Sequence, residues 1–192
     1  MKLTSRRLLI LALILLLSIS FGFGFDAVAT AVDKKNHPMP ESLSGSISQN
    51  ADAFGIPETV LWATVKEQSD FSSNRVGNGG AIGLMQISPT LYEQICREVL
   101  LEEPVDSGIL YDPETNLRIG AAYLSMLYQR YGVWDTVYAA YYAGTDKVDT
   151  WLKDPECVNA QGRLENIPEK EARDYVKRMN KSVRAYSELY YE

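Results

Sequence analysis

The stretch Pro57-Glu58-Thr59-Val60-Leu61-Trp62-Ala63-Thr64-Val65-Lys66-Glu67-Gln68-Ser69 decides the reading of the fold. Proline at the first turn costs no hydrogen bond, because that N–H has no intrahelical partner. Val60, Leu61, Thr64 and Val65 then recur with helical spacing. At about 100° per residue they form one apolar stripe. Position 68 falls near the middle of that stripe, and position 67 roughly 90° to one side. Gln68 is therefore expected to face inward, and Glu67 to sit on a solvated face. An amide turned inward needs a partner, since leaving it unsatisfied costs about 1–3 kcal/mol.

Outward from this helix the pattern stays helical. Upstream, Leu43, Ile47, Ala51 and Phe54 keep the same spacing over Ser42 to Phe54, and Gly55 ends that run. Downstream, helices are expected from Pro89 to about Leu101 and from Asp112-Pro113-Glu114 to about Tyr131, closed by Gly132. Asp135 should cap one through Ala143, ended by Gly144, and Pro168 should begin the last. Asn78-Gly79-Gly80 marks a loop. Strand-like alternation is almost absent, so the class is all-α with long connecting loops.

The start of the chain differs. Lys2, Arg6 and Arg7 precede an apolar run from Leu8 to Phe25, and Ala27-Val28-Ala29 offers a small-x-small cleavage site. A basic flank followed by an apolar run signals export. Residues 1–29 read as a signal peptide or as an uncleaved membrane anchor helix; both remain open. Residues 30–41, polar and with Pro38 and Pro40, read as a linker, and 42–192 as one domain. The net charge of -6 gives no electrostatic footprint for nucleic acid. Twelve tyrosines supply flat rings with polar tips, suited to packing and to sugar contacts.

Several chemistries can be struck out. His37 is the only histidine and lies in the linker, so no Ser-His-Asp or Cys-His arrangement can form in the domain. No His/Cys metal cluster is available, and no metal or cofactor is expected. The glycine-rich Asn78–Gly83 run lacks the Gly-Lys-Ser/Thr of a phosphate loop. The two cysteines, Cys96 and Cys157, could pair outside the cell, which spacing alone does not decide. Carboxylate chemistry remains, or none.

Gly80-Ala81-Ile82-Gly83-Leu84-Met85-Gln86 resembles the G-A-x-G-L-M-Q core of the soluble lytic transglycosylase (SLT) domain family. Gln68-Ser69-Asp70-Phe71 is similar to its E-S-x-F, and Asn116 to Leu124 to its N-x-x-x-G-x-x-Y-L. Ala140-Tyr141-Tyr142-Ala143-Gly144 matches A-Y-N-A-G, and Ile167 to Val176 matches I-P-x-x-E-T-x-x-Y-V. The resemblance implies a lysozyme-like helical fold, an exported location and peptidoglycan glycan strands as substrate. It implies cleavage between N-acetylmuramic acid and N-acetylglucosamine without added water. One glutamic acid protonates the glycosidic oxygen, then takes the C6 hydroxyl proton as a 1,6-anhydro ring closes. No second carboxylate is needed, unlike the usual glycosidase pair.

Counting back from Phe71 puts Gln68 at the position of that acid/base, with Ser69, the motif serine, expected to bind substrate beside it. The same matching assigns Gln86 and Tyr141 near the acid, Tyr142 at the family's asparagine, and Glu171 as a sugar-binding groove residue. Gly77 stands at the family's loop serine, and Ala172 at the threonine of E-T. A carboxamide cannot donate a proton and become a stable base. Three readings follow: an enzyme of impaired activity, a non-catalytic peptidoglycan binder or scaffold, and a structural partner with its groove closed by Tyr142. Membrane contact would come through the N-terminal segment if it is uncleaved.

Overall fold

The computed structural model describes residues 30–192, which divide into a unit ending at Pro38 and a unit Met39–Glu192. In the first, residues 30–36 form a helical turn sequence where a linker was expected. The apolar run expected as signal or anchor lies outside the described residues. Among the described residues no helix is long and apolar enough to cross a membrane.

The second unit is helical. Its elements are α1 (Glu41–Phe54), α2 (Glu58–Ser69), α3 (Pro89–Ile95), α4 (Pro113–Tyr131), α5 (Trp134–Ala143), α6 (Thr145–Trp151) and α7 (Lys170–Tyr190). Extended pairing among the described residues is limited to isolated bridges such as Val76 with Ile82 and Ile82 with Ile87. The punctuation residues act as their chemistry dictates. Gly55 and Gly132 end α1 and α4 in the left-handed region, with φ of 64° and 66°. Asp112 caps α4, its carboxylate accepting from the Thr115 N–H (2.9 Å) and hydroxyl (2.7 Å).

Four expectations shift. The helix from Pro89 changes to a π turn over Cys96–Leu100, which Leu101 ends in the left-handed region. Helix α5 begins at Trp134 behind Val133, so Asp135 sits in its first turn rather than at its cap. Gly144, at φ 89°, ends α5 as expected but also opens α6, a helix the sequence reading did not anticipate. Helix α7 starts at Lys170, two residues beyond Pro168.

The core is built around α2. Val60, Leu61, Thr64 and Val65 are buried as the stripe predicts, but Trp62 and Ala63 are buried too. A helix enclosed on all sides shows no narrow apolar stripe. The enclosure comes from α7, whose Tyr186 stacks on Trp62 with centroids 6.3 Å apart. Each large apolar side chain fully removed from water here contributes roughly 1.5–3 kcal/mol. Leu61→Ala would leave a cavity costing about 2–5 kcal/mol. Cys96 and Cys157 are separately buried free thiols, so they do not bridge.

Candidate active-site cleft

The last turn of α2 delivers positions 67 and 68 to an open cleft of about 580 Å³. Helix α2 stops abruptly, because Asp70 and Phe71 are both left-handed, at φ 51° and 66°. Left-handed backbone at a non-glycine residue costs on the order of 1–3 kcal/mol and needs surroundings that fix it. For Phe71 that fixing includes its ring against Trp62, at 6.2 Å.

The chain then forms the 72–88 loop, the far wall of the cleft, and two motif segments hold it. Asn116, fully buried on α4, accepts from the Met85 N–H (2.8 Å). It donates to the Ile82 and Leu110 carbonyls (2.9 and 2.8 Å). Gly83 must be glycine: its φ is +81°, and a Cβ would lie 2.3 Å from Asn116 Nδ2. One turn on from Asn116, a Cβ on Gly120 would lie 2.2 Å from Met85 Sδ, so its absence admits the methionine. Tyr141 donates its hydroxyl to the Met85 carbonyl (2.7 Å). The N-x-x-x-G and A-Y blocks are thus clamps on the G-L-M-Q loop.

The expected site residues separate. Gln68 is half-buried, lines the cleft and donates through Nε2 to the Tyr175 hydroxyl (2.8 Å). Tyr175 is itself buried, and that burial pushes its phenol well above the usual tyrosine range. Gln86 and Tyr141 line the cleft, but both bond to its wall. Gln86, at φ 52°, donates through Nε2 to the Gly83 and Arg75 carbonyls (2.9 and 3.1 Å). Tyr142 lines the cleft with 44% of its surface exposed, stacked on Tyr175 at 5.1 Å. Ser69 is buried and donates to the Val65 carbonyl (3.1 Å), off the cleft lining. Glu171 is exposed in the first turn of α7 and does not line the cleft either.

Glu67 is the clearest departure. It is no solvated residue, its side chain being 16% exposed. Ser182 donates to one carboxylate oxygen (2.6 Å) and Arg178 Nε to the other (3.2 Å). Helix α7 crosses the α2 face that the helical wheel assigned to water. The sequence reading also missed Arg75, Tyr175 and Arg178 as cleft residues. Arg178 lies three residues after Tyr175, so the shared face of α7 was the available signal. Among the described residues no group of three or more His, Cys, Asp or Glu is placed to hold a metal ion.

Residues 45–161 match the transglycosylase SLT domain family. The soluble lytic murein transglycosylase of Escherichia coli K12 is 34% identical over 139 residues, covering 70% of this chain and 21% of that protein. The Salmonella typhimurium protein of the same name is 33% identical over 138 residues, with the same coverage of each chain. The 70 kDa soluble lytic transglycosylase of E. coli superposes with a TM-score of 0.73 at 29% identity, over 82% of this chain and 25% of that one. An inactive glutamate-to-glutamine mutant of the lytic transglycosylase Slt from Pseudomonas aeruginosa gives 0.70 at 30% identity, over 79% and 24%. The chain spans about a fifth of the length of the curated relatives it matches.

Proposed function

This chain belongs to the transglycosylase SLT domain family, and from that premise we propose that it is an exported protein that holds peptidoglycan glycan strands without cutting them. One observation carries the reading: at the acid/base position the side chain in the cleft is the carboxamide of Gln68, bonded to Tyr175. General acid–base catalysis contributes about 10²–10⁴-fold, and in the lytic route it is the central step. An amide offers hydrogen bonds to sugar but has no proton to transfer. The Pseudomonas relative with a glutamate-to-glutamine change is described as inactive.

The shape of the cleft favours a binder over a closed scaffold. Tyr142 lies against Tyr175 on the wall, and about 580 Å³ stays open. An exposed ring beside an amide suits the apolar face and polar edge of an amino sugar. The basic and apolar start of the chain supports the exported location.

A second reading, an active enzyme using Glu67, has one observation in its favour: Glu67 also lines the cleft. Against it, both carboxylate oxygens are engaged by α7. Incubation of the full chain with purified sacculi tests both. Co-sedimentation without 1,6-anhydro muropeptides is expected. Robust anhydro product would overturn the binding-only reading, and its loss in Glu67→Gln would assign the acid to Glu67.

A further inference from the structure

A second groove, of about 360 Å³, lies between α7, the first turn of α5 and the loop that precedes α7. It shares no residue with the cleft. At about 100° per residue, Arg173, Lys177 and Asn180 fall on the opposite side of α7 from Tyr175 and Arg178. The two sites therefore stand back to back across one helix. Leu164, Ile167 and Val176 supply the apolar lining of the groove, each with 6–8% of its surface still exposed. The loop that forms one wall is already fixed. Asn159 Oδ1 accepts from the Gln161 and Arg163 N–H groups (3.0 and 3.1 Å). The Cys157 carbonyl accepts from the Glu165 and Asn166 N–H groups (2.9 and 3.0 Å).

Four charged side chains line this groove, the acids Asp135 and Glu165 and the bases Arg173 and Lys177. Among the described residues none of the four forms an ion pair, with one another or with any other group. Other bonds hold two of them in place. Arg173 Nη1 donates to the Ile167 and Pro168 carbonyls (2.5 and 2.8 Å). Asp135 accepts from Asn180 Nδ2 (2.8 Å). Asp174, the acid one turn before Lys177, is taken by Lys170 at 2.7 Å. Glu165 and Lys177 are both exposed and are the free pair of opposite sign.

We propose that this groove is a binding site for a short peptide that carries both a free ammonium and a free carboxylate. Opposite charges left apart around an apolar hollow are complementary to a ligand that brings both charges itself. A small apolar cavity with a few placed polar groups is the usual form of a small-ligand site. Lys177 takes the carboxylate and Glu165 the ammonium, each through a charge-assisted hydrogen bond. Small aliphatic side chains of the peptide lie against Leu164, Ile167 and Val176. The site is independent of the glycan-binding reading, which concerns the other side of α7.

The test titrates the isotope-labelled full chain, solubilised in detergent, with trialanine bearing both free termini. Amide resonances of Asn159, Glu165 and Lys177 should shift, while those of Gly77 and Gln86 in the cleft should not. N-acetyl-trialanine lacks the ammonium, and trialanine amide lacks the carboxylate. Each should bind about fivefold more weakly, the upper range for a partly exposed charge pair. In Lys177→Gln the amide should lose its disadvantage while the acetylated peptide keeps its own. Glu165→Gln should give the converse. Circular dichroism confirms the fold of both variants, and the three-peptide series on the unaltered chain stands without either of them. Three results overturn the proposal: no shift at the groove up to about 10 mM trialanine, shifts in the cleft alone, or equal affinity for the three peptides. Penalties that neither variant alters overturn it as well. Each of these failures leaves glycan binding in the cleft standing.

Discussion

Gln68 Nε2 donates to the Tyr175 hydroxyl at 2.8 Å, tying the end of α2 to the second turn of α7 where both line the cleft. Tyr175 is 2% exposed, and burial holds its phenol protonated far above neutral pH. The hydroxyl therefore has a proton of its own to give. Were position 68 a carboxylate, the phenol would turn from acceptor to donor in the same place.

Gln68→Glu is accordingly expected to create lytic activity on a scaffold that needs little rearrangement. Release of 1,6-anhydro muropeptides from sacculi should rise about 10²–10⁴-fold over the unaltered chain. Glu67→Gln in that background should leave the rate unchanged, because Glu67 is bound to Ser182 and Arg178 rather than to substrate. It should lower the urea midpoint modestly, since the Arg178 ion pair is lost from a partly exposed site. A folded Gln68→Glu variant that yields no anhydro product would show that the cleft has diverged beyond this one residue.

Asn116 is expected to be the least replaceable polar residue around the site. It satisfies one buried N–H and two carbonyls of the loop and its support. Asn116→Ala leaves those groups without partners, at about 1–3 kcal/mol each. The loss should reach 3 kcal/mol or more in chemical denaturation. Asn116→Asp should be no milder, because a carboxylate oxygen would then face the Ile82 and Leu110 carbonyls. A loss below about 1 kcal/mol would mean that the loop finds other partners.

Stability should fall steeply in alkali. Burial raises the Tyr123 phenol from 10.0 to about 12 and pushes Tyr138, Tyr141 and Tyr175 upward as well. In the unfolded chain these phenols ionise near 10. Between the two values the unfolded chain has released protons that the folded chain retains. Fewer protons on the unfolded state means that stability decreases as pH rises. The contribution is fully present below about pH 10 and is lost as pH climbs through the folded-state values. Absorbance of tyrosinate and far-UV circular dichroism, followed together, should change in one cooperative step above pH 10. Gradual, non-cooperative ionisation from pH 10 with the helices intact would contradict the buried assignment.

The helices were largely legible because their signals are local. Helical spacing marks α1 and α2, and Gly55 and Gly132 end α1 and α4 where the sequence suggests. Gly144 shows the limit, since one glycine both closes α5 and opens α6. The position of Gln68 on α2 could be read from the helical wheel and from the distance to Phe71. What faces it could not. Glu67 meets Ser182 across 115 residues of chain, and Asn116 meets Met85 across 31. A wheel assigns a face without saying which helix will cover it. The motif blocks pointed to the right segments for a different reason than expected. Tyr141 and Asn116 brace the loop, and Ser69 bonds back along its own helix.

Gly77 and Gln86 should prove energetically coupled. Backbone strain is absent at Gly77, whose φ of -103° any residue can adopt. Space is the constraint: a Cβ there would lie 2.1 Å from Gln86 Oε1. Gly77→Ser therefore has to displace the Gln86 amide from its bonds to the Arg75 and Gly83 carbonyls. Side-chain displacement of this kind should cost about 1 kcal/mol in urea denaturation. In a Gln86→Ala background the obstruction is gone, and Gly77→Ser should cost nothing further. The double-mutant cycle should thus return a coupling of about 1 kcal/mol. Additive losses within about 0.3–0.5 kcal/mol would mean that the serine finds room without moving Gln86. The glycine would then have no steric link to the glutamine beside it.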